Sequence, residues 1–522
     1  VTLQSMQRAS ALLQAGNYVL ARTTLEQVLR EAPHFVEAHR LLAGALQALG
    51  DAAGAERVLR TALAIDPSWT PTQGSLGEML FNQNRLDEAE PLLRAAIAGA
   101  RPYPRAHQVL ARLHYARAQQ RIADGDTDTA EKLLHEAVTF DPLFADAHSQ
   151  LAQLVWMRSG EIDLALQELD RAITRQPGAE LLHLVRADLL DSAGESERAH
   201  AVFAARAQRA DANVELLLRA SQTSLHGDPA GGLAYARRAV AAQPAHEGAQ
   251  RALIDALLAT GDAGSALPRI EALLRARADD QHLIATQTTA WRLLGDARYG
   301  AWCDYANMAR AWTIDTPRGW ATLASYLADL GASLHRLHSL HAHPLHNSLR
   351  GGSQTPQDLS LSDDPVIRAF FEAIDEPIRR HIATIAADPT GQHPLKRRRS
   401  DRYRLKGAWS VRLRGQGYHT NHVHPEGWLS SACYIELPRA VVNTVRPESA
   451  ATHPIADDSA VKPGWLKFGE PGIPTQPPLV PEHFIRPEPG VLALFPSYFW
   501  HGTVPFEGDD TRLTIAFDVV PA

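Results

Sequence analysis

Through the first 300 residues, apolar side chains recur every three to four positions, in paired stretches rich in Ala, Leu and Arg. That is the spacing of helices with one buried face. A small turn residue separates the members of each pair: Gly16, Gly50, Asn84, Gly125, Gly160, Gly194, Gly227, Gly261 and Gly295. Their intervals are 34, 34, 41, 35, 34, 33, 34 and 34 residues. Five positions after each comes another small residue: Ala21, Ala55, Ala89, Ala130, Ala165, Ala199, Gly232, Ala266 and Gly300. Pro33, Pro67, Pro142, Pro177 and Pro244 follow where the second helix of a pair should stop, because the residue before proline avoids helical geometry. Such a unit cannot bury its apolar face alone, so neighbours stack into a solenoid with a concave groove. The 41-residue interval predicts an insertion near Ala98–Tyr103 or a longer helix around Arg112–Ile122.

Past residue 300 the grammar changes. A helical stretch runs through Trp312 and Leu327–Leu340, and alternation then takes over in Trp409–Leu413, Ser430–Leu437, Gly490–Pro496 and Arg512–Val520. Short alternating strands with Pro/Gly turns predict a double-sheet jelly roll. The expected organisation is therefore multidomain: an all-α solenoid of eight to nine repeats over residues 1–300, and a double-stranded β-helix with flanking helices over 301–522.

Composition narrows the function classes. At 522 residues the chain is too long for one compact core. A net charge of −7 argues against nucleic acid or an anionic membrane as partner. No apolar run reaches the roughly 18 residues of a membrane span. The first residues, Val1-Thr2-Leu3-Gln4, show no signal-peptide pattern and lack the initiator Met. Two cysteines, Cys303 and Cys433, exclude a disulfide scaffold and a cysteine zinc site, and fit a cytoplasmic setting.

The candidate chemistry lies in the second part. His422 and His424 stand two apart on an extended segment and so point to one side. His501 follows 79 residues after His422, at the end of a strand, and Arg512 follows 11 residues later with Thr514 on the same face. Three such ligands make one face of an octahedron with open positions, the geometry suited to non-heme Fe(II). Two registers compete: His422/His424/His501, or His424 with Glu426 as the carboxylate ligand. Other histidines, His335, His338, His341, His343 and His346, cluster before Arg350-Gly351-Gly352-Ser353-Gln354-Thr355 and read mainly as packing or surface groups. The run Lys396-Arg397-Arg398-Arg399 reads as a solvated charge run.

The repeat array resembles the tetratricopeptide repeat. The second part resembles the 2-oxoglutarate/Fe(II)-dependent oxygenases, and more narrowly the bacterial group in which tetratricopeptide repeats precede such a domain. The resemblance is carried by His343-Pro344, Ser348 to Thr355, His422-Val423-His424-Pro425, Trp428 to Ile435, Leu494-Phe495-Pro496-Ser497, His501 and Arg512 to Phe517. It implies a dioxygenase that hydroxylates its substrate with Fe(II), 2-oxoglutarate as cosubstrate and O₂. It favours the three-histidine register and implies that Arg512, with Thr514 and Tyr434, holds 2-oxoglutarate. Arg350, Gln354 and Arg412 are its substrate-contact candidates. The repeats imply a peptide or protein substrate held in their groove. A small-molecule hydroxylase, a scaffold with an inactive domain, and a zinc hydrolase using Glu426 as base are the alternatives.

Overall fold

The computed structural model describes residues 2–99, 101, 103–345, 347–442 and 462–522. His346 of the histidine cluster lies outside the described residues. Among those described, no helix is long and apolar enough to cross a membrane.

Local chemistry explains the helix pairs. Eight of the nine turn positions adopt the left-handed backbone conformation, from φ 59° at Asn84 to 94° at Gly194; Gly227 does not. Glycine is at ease there because it has no Cβ to clash. In four turns an aspartate follows directly and caps the next helix: Asp51, Asp126, Asp228 and Asp262 each accept an N–H three residues on. The small residues that follow are buried in the helix–helix contacts, from Ala21 to Ala266. Gly300 is exposed, since the last mark opens only a five-residue helix, Arg298–Trp302. The long interval has both expected causes: an irregular stretch follows Leu86–Ala98, and the next helix, Ala106–Ala123, has 18 residues.

The chain divides into two compact units. One is Val1–Leu151 with Thr174–Gln176; the other is Ala152–Ile173 with Pro177–Ala522. The change from helix pairs to strands falls near residue 300, but the compact division falls within the repeats. The later repeats thus share a unit with the β domain.

That domain has nine strands among the described residues. They are β1 Arg310–Thr313, β2 Leu349–Gln354, β3 Tyr403–His419, β4 Leu429–Glu436, β5 Leu466–Phe468, β6 His483–Ile485, β7 Val491–Pro496, β8 His501–Thr503 and β9 Arg512–Pro521. The larger sheet has the order β1-β7-β4-β9-β3-β2 and the smaller β6-β5-β8, with every pairing antiparallel. This is a double-stranded β-helix, with Phe468, Phe495, Phe499 and Phe517 in its core.

The repeat helix Gln281–Leu294 is packed into this domain. The Trp500 indole N–H donates to Thr289 Oγ1 (3.0 Å), Arg292 donates to Gly469 O (2.8 Å), and the Gln281 N–H to Pro425 O (3.3 Å). Gln281, Thr286, Thr288 and Thr289 are buried polar groups on that helix. A fragment of residues 301–522 loses all of these partners and exposes the Trp500 seat. We expect it to aggregate or to melt without cooperativity in circular dichroism. A monomeric 301–522 fragment with a sharp transition would show that the last repeats are dispensable for the domain.

Candidate metal and cosubstrate site

Beyond β3 the chain bends at Asn421, and backbone bonds then hold the segment His422 to His424. His422 and His501 exchange both N–H···O bonds (2.9 and 3.1 Å), and the His424 N–H donates to Ser497 O (3.1 Å). His422 and His424 therefore project to the same side, facing His501 at the start of β8. One ligand-capable nitrogen from each ring lies within 4.8 Å of the others. Ring centroids are 4.2 Å apart for His422–His501 and 5.2 Å for the other two pairs.

The other nitrogen of each ring is engaged. His422 Nδ1 donates to Thr420 O (2.8 Å) and His501 Nδ1 to Phe499 O (2.9 Å). His424 Nδ1 donates to the Asp518 carboxylate (2.7 Å). A carbonyl or carboxylate only accepts, so each ring carries a proton on Nδ1 and turns Nε2 toward the cluster, where the Ser348 hydroxyl stands 3.4 Å from that of His422. This is how metal-binding histidines are oriented. Burial, with His424 beside it, pushes the His422 imidazole down to about 3, and burial also holds His501 well below its ordinary value. Both rings are neutral near pH 7, the form that ligates.

Glu426 is not brought to this cluster. A turn follows His424, closed by the Gly427 N–H to His424 O (3.2 Å), and it ends the alternation that the His424/Glu426 register needs. The Glu426 side chain is 76% exposed and pairs with Lys406.

The cluster opens on a cavity of about 650 Å³ between the two sheets. Val411, Leu466, Phe495 and Ala516 supply apolar wall, and Lys406 and Glu426 also border it. Gly407 takes φ 66° at a bulge in β3, where a Cβ would come within 3.0 Å of the Trp409 ring, itself a cavity wall. From β9, Arg512, Thr514, Ala516 and Asp518 all line the cavity, as period-two alternation requires.

Arg512 is only 3% exposed, and its Nε and Nη1 have no hydrogen-bond partner. Its guanidinium lies 5.0 Å from the centroid of the Tyr434 ring, whose hydroxyl is also unpartnered. An unpaired buried cation costs several kcal/mol unless something compensates it. The donor set suits a carboxylate, which accepts two parallel N–H bonds. Both halves of the site thus fit their expected occupants: three converging imidazole nitrogens fit a metal ion, and a buried guanidinium with Nε and Nη1 unpartnered fits an anion.

Three other candidates lie outside the cavity. Arg412 alternates with the cavity-lining Val411 and donates to His338 O (3.2 Å). Arg350 donates to Asn347 O and Leu349 O (2.6 and 2.8 Å). Gln354 acts at one remove: it accepts from Asn347 Nδ2 (2.8 Å), and Asn347 lines the cavity. The histidine cluster before β2 is structural. His338 bridges Ser353 and Ser410, His335 meets Glu436, and the His343 carbonyl accepts from Trp156 Nε1. In the basic run, Arg397 binds Asp279 and Arg398 binds Gly427 O, so these two residues tie elements together. Asp518 was missed from sequence, as was Ser348, whose hydroxyl lies 3.0 Å from His419 Nδ1 and 3.4 Å from His422 Nε2. Asp518 had a signal: it is an acid in an apolar strand, on the Arg512 face.

Comparison with known proteins agrees with this architecture. Residues 407–518 match the family described as "Putative 2OG-Fe(II) oxygenase", and residues 12–78 and 115–180 match tetratricopeptide-repeat models. The chain is 31% identical over 168 residues to cellulose synthase operon protein C of Xanthomonas axonopodis pv. citri (strain 306). That match covers 32% of this chain and spans only 11% of the relative's length. Among solved structures, the MamA protein has 20% identity and a TM-score of 0.26, with 33% of this chain and 90% of that one covered. The C-terminal part of a TPR repeat-containing protein from Cytophaga hutchinsonii has 13% identity and a TM-score of 0.34, covering 47% and 98%. The chain therefore carries tetratricopeptide repeats in its N-terminal part and a C-terminal domain of the 2OG-Fe(II) oxygenase type.

Proposed function

We propose that this protein is a 2-oxoglutarate-dependent hydroxylase of a peptide or protein segment, with Fe(II) held by His422, His424 and His501. The observation that carries the reading is the pairing of two features in one cavity: three Nε2 nitrogens turned together by engaged Nδ1 protons, and a buried guanidinium whose Nε and Nη1 have no hydrogen-bond partner. Fe(II) with 2-oxoglutarate and O₂ would supply the oxidation, converting the keto acid to succinate and CO₂ while one oxygen atom enters the substrate. Arg512 binds the far carboxylate of 2-oxoglutarate and so orients it along β9. Thr514 borders that path, and Tyr434 supports the guanidinium from beneath. The apolar wall of Val411, Leu466 and Phe495 excludes water from the reacting groups. Lys406 and Glu426 flank the cavity where a substrate side chain would enter.

Within the second unit, helix Gln281–Leu294 is occupied by the β domain. Peptide capture then falls to the earlier helices, such as Val36–Ala48 and Thr70–Asn82. The test uses the full chain loaded with Fe(II) and a chain lacking residues 1–144. Both should convert 2-oxoglutarate to succinate in air at similar uncoupled rates. For any peptide the full chain oxidises, the shortened chain should show a KM raised by about 10-fold or more. Absence of succinate from the loaded full chain would sink the oxygenase reading. An unchanged KM would point to a small substrate taken directly into the cavity.

A further inference from the structure

The three histidines differ in what holds them. His422 and His501 donate Nδ1–H to neutral backbone carbonyls, whereas His424 donates to a carboxylate. Asp518 is 9% exposed and lies 2.7 and 2.9 Å from His424 Nδ1 through its two oxygens. Ser430 Oγ donates to the nearer oxygen (2.8 Å), and Ser497 Oγ stands 2.9 Å behind Ser430. Among the described residues no arginine or lysine pairs with Asp518. The carboxylate is directed at the histidine cluster and held by the buried Ser430 hydroxyl, which Ser497 backs.

A His-x-carboxylate ligand pair brings a negative charge into the coordination sphere itself. Here the residue two after His422 is a histidine, so the face of ligands is neutral. We propose that Asp518 supplies that missing charge one hydrogen bond out, through His424: it positions the ring, fixes its proton on Nδ1 and raises the donor strength of Nε2. A carboxylate behind a ligating imidazole has this effect generally, and losing one weakens metal binding by about 10–100-fold. The geometry also explains why one strand can serve both ends of the site. β9 carries Arg512 and Asp518 on one face six residues apart, roughly 20 Å along the strand. This inference rests on the three-histidine reading.

Equilibrium binding of Co(II) to the metal-free full chain tests it without turnover. Asp518→Asn keeps the volume and an acceptor but removes the charge; Asp518→Ala removes both. Expected is a loss of about 10-fold in Co(II) affinity for Asn and up to about 100-fold for Ala. The visible spectrum of bound Co(II) should shift in the Asn variant, and the circular dichroism melt should stay cooperative. Ser430→Ala, which loosens Asp518 but keeps its charge, should lose less than either. If Ala fails to fold, Asn decides. An Asn variant that matches the wild type in affinity and spectrum overturns the role of Asp518 and leaves the metal site standing. A folded wild type that takes up no Co(II) removes the three-histidine reading and this inference with it.

Discussion

His501→Ala should abolish metal binding. The ring is one of three Nε2 donors, and neither ligand register has a substitute for it. Loss of a partner behind a ligand already costs about 10–100-fold in metal affinity, so loss of a ligand should exceed about 100-fold. The substitution also leaves a hole beside Phe495, whose ring centre is 4.6 Å from that of His501. His501→Gln, of similar volume, separates that packing defect from the loss of a ligand. Two further variants discriminate the registers. His422→Ala should lose the metal as His501→Ala does. Glu426→Ala should keep it, since that carboxylate pairs with Lys406 away from the cluster. The measurement is metal content and affinity after anaerobic loading. Metal lost with Glu426→Ala and kept with His422→Ala would reverse the assignment.

Arg512→Ala should leave the metal in place and weaken 2-oxoglutarate binding. A hydrogen bond to a charged group contributes about 1.5–3 kcal/mol, or about 10–150-fold in affinity. Calorimetry with 2-oxoglutarate on the Fe(II)-loaded protein, kept anaerobic, reads this directly. Arg512→Lys keeps the charge but not the planar fork, so it should fall between wild type and Ala. The ligand-free protein offers a second readout of opposite sign. The guanidinium is buried with two nitrogens unpartnered, so Arg512→Met should raise ligand-free stability by about 1 kcal/mol, as apolar replacement of buried ions often does. That variant should also lose the thermal stabilisation that saturating 2-oxoglutarate gives the wild type. Unchanged 2-oxoglutarate affinity in Arg512→Ala would disprove the anchoring role.

The parts of the site that follow from strand parity were legible in the sequence. His422 and His424 share a side because they are two apart, and Arg512 and Thr514 share the cavity face for the same reason. The same rule, carried two steps further along β9, reaches Ala516 and Asp518. Parity also assigns Arg412 away from Val411, and the structure places it on His338 O. Glu426 is the case where parity misleads, because a turn at Pro425–Gly427 stops the extended backbone before the second register can form.

The repeats were determined by the sequence because their rules act over a few residues. A glycine with positive φ ends one helix, an adjacent aspartate caps the next, and a small residue sets the helix–helix distance. Each needs only near neighbours, so a period of about 34 residues is visible without a fold. The tautomer of His424, by contrast, belongs to the tertiary structure. His424 meets Asp518 across 94 residues of chain, a pairing created only when the segment after β3 comes to lie against β9. The same holds for Arg512, whose unpartnered Nε and Nη1 are a fact about what surrounds it. It holds too for helix Gln281–Leu294, whose buried polar groups become a docking surface only when Trp500 and Gly469 arrive from about 200 residues away. Local rules specify which elements form and which way their side chains point. Which groups end up desolvated, paired or left alone is decided when distant elements close around them, because burial makes an unsatisfied charge or lone pair matter energetically.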